Sequence, residues 1–344
     1  MDDHANKTYS YKIVTWNAGG LHKGSEHGRQ RGDFLSGLWQ ENSNLEVMCV
    51  QETHCKSDGD LCQSVIDLKT RLNVFHSPAV EGDGWSGVLI VMTRDWEVID
   101  TTVGVPGRVL SVKVRGKIFD EMINFVVVYG KTGANDRGAW IDGLNDVIDP
   151  TFSSVVLGDF NFVTEERDRD GNALNGYDLT LRRKFSDKMG GWELRDVFRG
   201  IRGDEEEFTF SHIRGGKSRI DRVYMEDDMI CKVSKIASVE VLGQTVGHKM
   251  VQVEIEEGLE IGPGYWKFNT ALLRDSKYHE LVRGTWVETR QDKEDFSNIG
   301  EWWDFAKFWV RNLTINFAIE TSTAGVHQIR LLHRHSLVID YDVI

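Results

Sequence analysis

A chain of 344 residues is long enough for about two domains. Its 40% hydrophobic and 28% charged residues, with only four prolines, exclude a disordered or collagen-like protein. No run of about 18 apolar residues is present, so a simple helical membrane protein is excluded too. The net charge of −13 opposes long-range attraction to nucleic acid or to an anionic membrane.

The N-terminal residues 1–10 are polar and are expected to be flexible, with no apolar core of a secretory signal. Cys49, Cys55, Cys62 and Cys231 form no C-x-x-C pair, which argues against a zinc ribbon and a disulfide framework. An intracellular setting, nuclear or cytoplasmic, is expected from that cysteine usage. The sequons at Asn6 and Asn312 carry no weight without a signal.

From there to about residue 255 the chain alternates short β runs with helical stretches. Tyr11–Trp16, Leu45–Gln51, Ser86–Met92, Val109–Val114, Met122–Tyr129, Ser154–Leu157, Arg219–Tyr224 and Met250–Ile255 are rich in Val, Ile and aromatics and read as strands. Arg29–Glu41, Leu61–Leu72, Asp136–Ile148 and Leu179–Gly190 read as helices. Phe125–Val128 is continuously apolar, while other strands alternate, so buried central strands and half-exposed edge strands are expected. Gly258–Gly264 reads as a connector, and the pattern beyond it is helical. Within 301–320, Trp302, Ala306, Trp309, Leu313 and Phe317 share one helix face, widened by Trp303, Phe305 and Phe308. Two readings follow for 301–319: packing on its own domain, or an interaction helix for a protein partner. The stretch Val326–Ile344 holds His327, His333 and His335 but no clear period. The division expected is a flexible 1–10, a catalytic domain at 11–256, a helical region at 257–320 and an irregular tail at 321–344.

Some motifs are decoys. Gly130-Lys131-Thr132 and Gly216-Lys217-Ser218 lack the upstream glycine of a P-loop, where Phe125 and Ser211 stand. Asp168, Asp170 and Asn172 have calcium-loop spacing, but Ala173 and Leu179 occupy the positions that need glycine and glutamate.

Six polar clusters fall at strand ends: Trp16-Asn17, Gln51-Glu52-Thr53-His54, Tyr129-Gly130, Gly158-Asp159-Phe160-Asn161, Arg219-Ile220-Asp221-Arg222 and Gly247-His248. Each alone is ordinary turn chemistry. Together, in a layered α/β fold, loops at one end of the strands converge on a shared site. The converging residue types suit metal-assisted phosphodiester hydrolysis. Glu52, with Asn17 beside it, offers hard oxygen ligands for Mg2+, with Mn2+ as the alternative. Tyr129 and His248 can donate to a phosphate, Asp159 can take a proton from water, Asn161 can hold that water, and Asp221 can support His248.

The set W-N, Q-E-T-H, Y-G, G-D-F-N, R-I-D-R and G-H, in this order, resembles the endonuclease/exonuclease/phosphatase superfamily over about residues 10–256. The resemblance implies an α/β (α+β) four-layer sandwich of two packed mixed β-sheets flanked by helices, with a C-terminal helical extension. It implies a divalent metal held by Asn17 and Glu52, and catalytic Tyr129, Asp159, Asn161, Asp221 and His248. Within the superfamily, Glu166-Arg167-Asp168-Arg169-Asp170-Gly171 and Gly262-Pro263-Gly264-Tyr265-Trp266-Lys267-Phe268-Asn269 resemble the endonuclease of non-LTR (LINE-type) retrotransposons and its link to a reverse transcriptase. The latter enzyme is not in this chain, and a truncated or mis-spliced copy is expected.

Gly247 stands where the family usually has aspartate, so weakened chemistry is expected. The leading expectation is a DNA-nicking endonuclease that leaves a 3′ hydroxyl. The alternatives are a catalytically degenerate fragment that only binds nucleic acid or protein, and a phosphatase or phospholipase of the same superfamily. DNA is the expected partner and a membrane is not. The charge is −9 over residues 1–255 and −4 over 256–344. Against that acidity Arg214, Lys217, Arg219 and Arg222 cluster within nine residues and are expected to meet a phosphate backbone.

Overall fold

The computed structural model describes residues 8–116, 121–132, 138–171, 176–241, 247–258 and 270–321, apart from 292, 294, 295 and 297. The chain forms two compact units, Met1–Glu260 and Ile261–Ile344.

The first unit begins with β1 (Thr8–Asn17), α1 (Glu26–Glu41), β2 (Leu45–Gln51), α2 (Gln63–Leu68), β3 (Asn73–Ser77) and β4 (Val88–Met92). It continues through β5 (Trp96–Val105), β6 (Val109–Gly116), β7 (Met122–Tyr129), α3 (Ala139–Asp142), β8 (Ser153–Asp159) and α4 (Gly176–Gly191). It closes with β9 (Arg195–Asp196), α5 (Val197–Arg202), β10 (Phe210–Ser211), β11 (Lys217–Ser218), β12 (Asp221–Met225), α6 (Asp227–Ile230), β13 (Val233–Val239), β14 (Gly247–His248) and β15 (Met250–Gly258).

Twelve of these strands build two mixed six-stranded sheets, ordered β13-β15-β1-β2-β4-β3 and β5-β6-β7-β8-β12-β9, and the other three form a small sheet ordered β11-β10-β14. Every residue of β2 and β4 is buried, as expected of central strands covered on both faces. Between the sheets, Ile13, Val47, Cys49 and Ile90 of one pack with Val112, Phe125, Val127, Val155 and Leu157 of the other. Outside the first sheet, Met48, Val50 and Leu89 pack against Leu35 of α1 and Val65 and Leu68 of α2. Outside the second, Val126, Val128 and Val156 pack against Trp140 and Ile141 of α3 and Phe185 and Met189 of α4. The result is the expected four-layer sandwich of two packed mixed sheets between helices.

Each sheet has one parallel pair at its centre. β1 and β2 run parallel with Asn17 opposite Gln51, and β7 and β8 run parallel with Tyr129 opposite Asp159. Parallel pairing places the C-terminal ends of all four strands, and the residues that follow them, at one rim. β12 runs antiparallel to β8 with Asp221 opposite Asp159, which brings the start of β12 to the same place.

The R-D-R-D-G segment after β8 serves a structural purpose. Asp168 is fully buried and takes Arg219 in a two-pronged pair, at 2.8 and 3.1 Å, and Arg199 at 2.5 Å. Burial alone would raise the Asp168 carboxyl, but these guanidinium groups and Arg222 hold it below its usual range. Arg219 reaches Asp196 as well, at 2.8 Å, and Asp196 caps α5 through the Phe198 N–H.

The second unit contains α7 (Ser276–Gln291) and α8 (Ile299–Thr321). Trp302, Ala306 and Phe317 of α8 are buried, with Leu313 partly so. Phe317 and Leu313 pack against Leu272, Tyr278 and Val282. Tyr278 and Thr314 share a hydrogen bond of 2.7 Å, and the Trp302 indole donates to Thr289 O at 2.6 Å. Trp302, Ala306, Leu313 and Phe317 of the apolar face read from sequence are thus covered within their own unit, whereas Trp309 of that face, and Trp303 beside it, are exposed. The G-P-G-Y-W-K-F-N run and the histidine-containing tail lie outside the described residues.

Removing one partner of a buried charge cluster strands the others. Asp168→Ala is therefore expected to cost about 3–5 kcal/mol, read from the shift in the urea unfolding midpoint.

Candidate active site

The site is assembled where the two sheets share a rim. Asn17, the last residue of β1, is nearly buried, and its amide nitrogen donates to Glu52 Oε1 and to Asp159 Oδ2, both at 2.9 Å. Its carbonyl oxygen accepts the Gly19 N–H at 3.0 Å. Glu52 follows β2 with φ +56°, a left-handed backbone that side chains other than glycine seldom adopt. Its Oε1 accepts the Tyr129 hydroxyl at 2.8 Å, and its Oε2 lies 3.1 Å from His54 Nε2. Burial opposes ionisation of Glu52, yet hydrogen bonds from His54, Asn17 and Tyr129 and the charge of His248 outweigh it and hold the carboxyl down at about 2. The Tyr129 phenol is pushed up by burial and by the Glu52 charge, so it stays a donor. Arg108 lies over its ring at 4.8 Å and donates to the Tyr129 and Gly130 carbonyls.

Asp159, at the end of β8, is fully buried and accepts the Asn161 backbone N–H at 2.9 Å. Burial pushes its carboxyl up to about 7, against the lowering charge of His248. Asn161 also has φ +56°, and its side-chain amide is tied to the Gly130 carbonyl at 2.8 Å. His248 sits in β14 beside Phe210, ring centroids 4.6 Å apart. Its Nδ1 is 3.0 Å from both oxygens of Asp221, and its Nε2 is 3.7 Å from Asp159 Oδ2. Burial works against the imidazolium, but Asp221 and Asp159 prevail and hold His248 at about 9. Asp221 is itself held by the Thr209 hydroxyl at 2.7 Å, and that hydroxyl accepts the Ile220 and Asp221 N–H groups.

The rim therefore gathers Asn17, Glu52, Tyr129, Asp159, Asn161, Asp221 and His248. Ligand atoms of Asp159, Asp221 and His248 lie within 4.8 Å of one another and could hold a cation. His248 Nδ1 and Asp221 are already committed to each other there, whereas Glu52 is ionised and faces the rim with oxygens alone.

A rim that gathers carboxylates, a phenol and an imidazole–carboxylate pair brings together the proton acceptors and donors that general acid–base chemistry requires. The family model for the Endonuclease/Exonuclease/phosphatase family matches residues 14–242, and the chain belongs to that family. It is 26% identical over 280 residues to the Transposon TX1 uncharacterized 149 kDa protein of Xenopus laevis, an alignment covering 78% of this chain and 20% of that protein. The chain thus spans about a fifth of that relative's length. The fold is also that of the AP endonuclease LMAP from Leishmania major, with a TM-score of 0.60 and 16% identity over 72% of this chain and 88% of that one. The endonuclease domain of TRAS1, a telomere-specific non-LTR retrotransposon, superposes with a TM-score of 0.50 and 16% identity over 71% of this chain and 98% of its own.

Asn17 lies beside Glu52 and meets it with its N–H, which also holds Asp159. One expectation is corrected. Arg219 and Arg222 are 2% and 1% exposed and do not face a passing phosphate. Arg219 is spent on Asp168 and Asp196. Arg222 lies over the Phe160 and Phe162 rings at 4.8 Å from each and donates to Phe162 O and Thr164 Oγ1, both at 2.8 Å. Of the basic cluster only Arg214 and Lys217 are exposed, on the hairpin joining β10 to β11. Conversely, His54, Arg108 and Thr209 support the site without having been singled out. His54 was visible in Q-E-T-H, but the turn that swings it onto Glu52 leaves no mark in composition.

Gly247 has φ +102°, with open space where a Cβ would be. An aspartate there has room but a disfavoured backbone, so Gly247→Asp is expected to lose about 1–3 kcal/mol in urea unfolding. The Asp221 charge raises the affinity of His248 for its proton. In Asp221→Asn the His248 titration midpoint, followed by NMR of the ring protons, should fall by more than about one pH unit.

Proposed function

We propose that the chain is a divalent-metal-dependent endonuclease domain that nicks DNA and leaves a 3′ hydroxyl, as target-primed reverse transcription requires. The observation that carries this reading is the convergence of an ionised Glu52, a buried and proton-hungry Asp159 and the His248–Asp221 pair at one rim. The transposon relative and the retrotransposon endonuclease fold support it. Glu52, with its ionised hard oxygens, suits Mg2+ or Mn2+. The bound ion would supply charge stabilisation at the phosphate.

The chain's own residues account for the remaining steps. Asp159 takes a proton from the attacking water, whose oxygen bonds to phosphorus as the bond to O3′ breaks. The departing O3′ picks up a proton and becomes the hydroxyl. The Asn161 backbone N–H and the Asn17 amide keep Asp159 aimed. His248, held protonated by Asp221, and Tyr129, held as a neutral phenol, donate to the phosphate oxygens as their charge develops. Arg214 and Lys217 on the exposed hairpin meet the backbone of the duplex. Gly247 supports a weaker enzyme rather than an inert relic, because the other members of the site are all in contact.

Supercoiled plasmid incubated with the protein and Mg2+ should be nicked, and Asp159→Ala or His248→Ala should slow nicking by about 10²–10⁴-fold. Equal nicking by these variants would overturn the assignment. Turnover of inositol phosphates or sphingomyelin, with no nicking, would replace it with the phosphatase or phospholipase reading. Because Asp159 must be ionised and His248 protonated to act, the rate should rise with pH through about 7 and fall again above about 9. It should also fall as salt is raised from about 50 to 200 mM.

A further inference from the structure

The Glu52-Thr53-His54 segment is built to bring two side chains of alternate residues onto one side. Glu52 and His54 both have φ +56°, a pairing of sparsely populated conformations within three residues. Thr53 between them is fully buried. The backbone is pinned from outside, by Thr53 N–H to Gly87 O at 3.0 Å and His54 N–H to Ser86 O at 3.1 Å. The Thr53 hydroxyl lies 3.1 Å from His76 Nε2. Such over-determination is how a disfavoured turn persists, and it delivers His54 Nε2 to Glu52 Oε2.

The hydrogen bonds on Glu52 are unequal. Oε1 takes two donors, the Asn17 amide and the Tyr129 hydroxyl, which fill its two in-plane positions. Oε2 has one donor among the described residues, His54 at 3.1 Å, and so has one in-plane position open. An ionised carboxylate only accepts, so His54 carries its proton on Nε2. The imidazole sits in a slot of its own. Trp85 stands edge-on to it at 5.1 Å and 88°. On another side the backbone of Gly20, at φ +118°, comes so near that a Cβ would lie 3.0 Å from Nδ1.

We infer that His54 is a positioning residue for the divalent cation: by holding Glu52 Oε2 along one lone pair, it aims the other and sets the affinity of the site for metal. The inference rests on the metal-dependent reading above and names the oxygen and the supporting residue that reading leaves open. Hydrogen-bond partners of ligating groups typically govern metal affinity by about 10–100-fold.

The test is Mn2+ binding by titration calorimetry on the full chain without DNA, together with the Mg2+ concentration that half-saturates plasmid nicking. His54→Ala and His54→Phe, the latter filling the slot without a donor, should weaken Mn2+ binding by about 10–100-fold and raise the half-saturating Mg2+ by a similar factor. His54→Gln, whose amide N–H can reach the same oxygen, should bind within a few-fold of the native protein. If His54→Ala does not fold, the contrast between Phe and Gln decides alone. Phe binding Mn2+ as well as the native chain, or Gln as poorly as Phe, overturns the inference while leaving the metal-dependent reading in place. No Mn2+ binding by the native chain overturns both.

Discussion

One amide nitrogen joins the two halves of this site. The Asn17 Nδ2, projecting from the first sheet, spans Glu52 of its own sheet and Asp159 of the other, at 2.9 Å each. Two carboxylates brought this close would repel if both were ionised without a donor between them. The shared N–H makes their approach tolerable, and the surroundings then separate their behaviour. Glu52 has three donors and partial access to the rim, and is held down at about 2. Asp159 is fully buried and is pushed up to about 7. Two groups of nearly the same chemistry are thereby set apart in their affinity for a proton, and on the nuclease reading one carries negative charge while the other exchanges a proton.

The arrangement depends on a second polar framework behind it. The buried Asp168–Arg219–Asp196 cluster anchors the chain just before β12, and Arg222, three residues beyond Arg219, is locked among Phe160, Phe162 and neighbouring rings. Asp221 lies between these two anchored arginines, so its carboxylate has little freedom except to face Thr209 and His248. Burying two guanidinium groups is costly unless every charge has partners. That cost is consistent with a framework whose value is the placement of Asp221 rather than raw stability.

Much of this was legible in the sequence, and the failures have identifiable causes. Strands such as Leu45–Gln51 and Met122–Tyr129 announce themselves because both faces are buried and each holds a stretch of consecutive apolar residues, Val47–Val50 and Phe125–Val128. β5 and β13 escaped notice because register shifts near Val98, Val103 and Val233 break the two-residue alternation on these edge strands. The helix expected over Asp136–Ile148 shrinks, in its described part, to α3 and a following 3-10 turn at Gly143–Asp146, where glycine weakens the helix. The residues gathered at the rim stood out because strand ends are marked by apolar runs stopping at Asn, Glu, Asp or Tyr. What could not be found was orientation. A basic residue beside a catalytic aspartate looks the same in sequence whether its guanidinium meets a phosphate or a buried carboxylate.

That ambiguity changes the meaning of the acidic composition. With Arg219 and Arg222 turned inward, the surface near the rim has less positive charge than the sequence cluster implied, and the chain as a whole remains at −13. Attraction at distances beyond about 10 Å is screened at ordinary salt in any case. On the nuclease reading, encounter with DNA is therefore weakly steered, and binding depends on contacts made within the rim itself. Foremost are the ionised Glu52 with its cation, the protonated His248 and the exposed Arg214 and Lys217. A divalent ion held at Glu52 would then supply charge stabilisation in the reaction and offset the local acidity that turns a phosphate away, which would link metal affinity and substrate affinity through the same carboxylate.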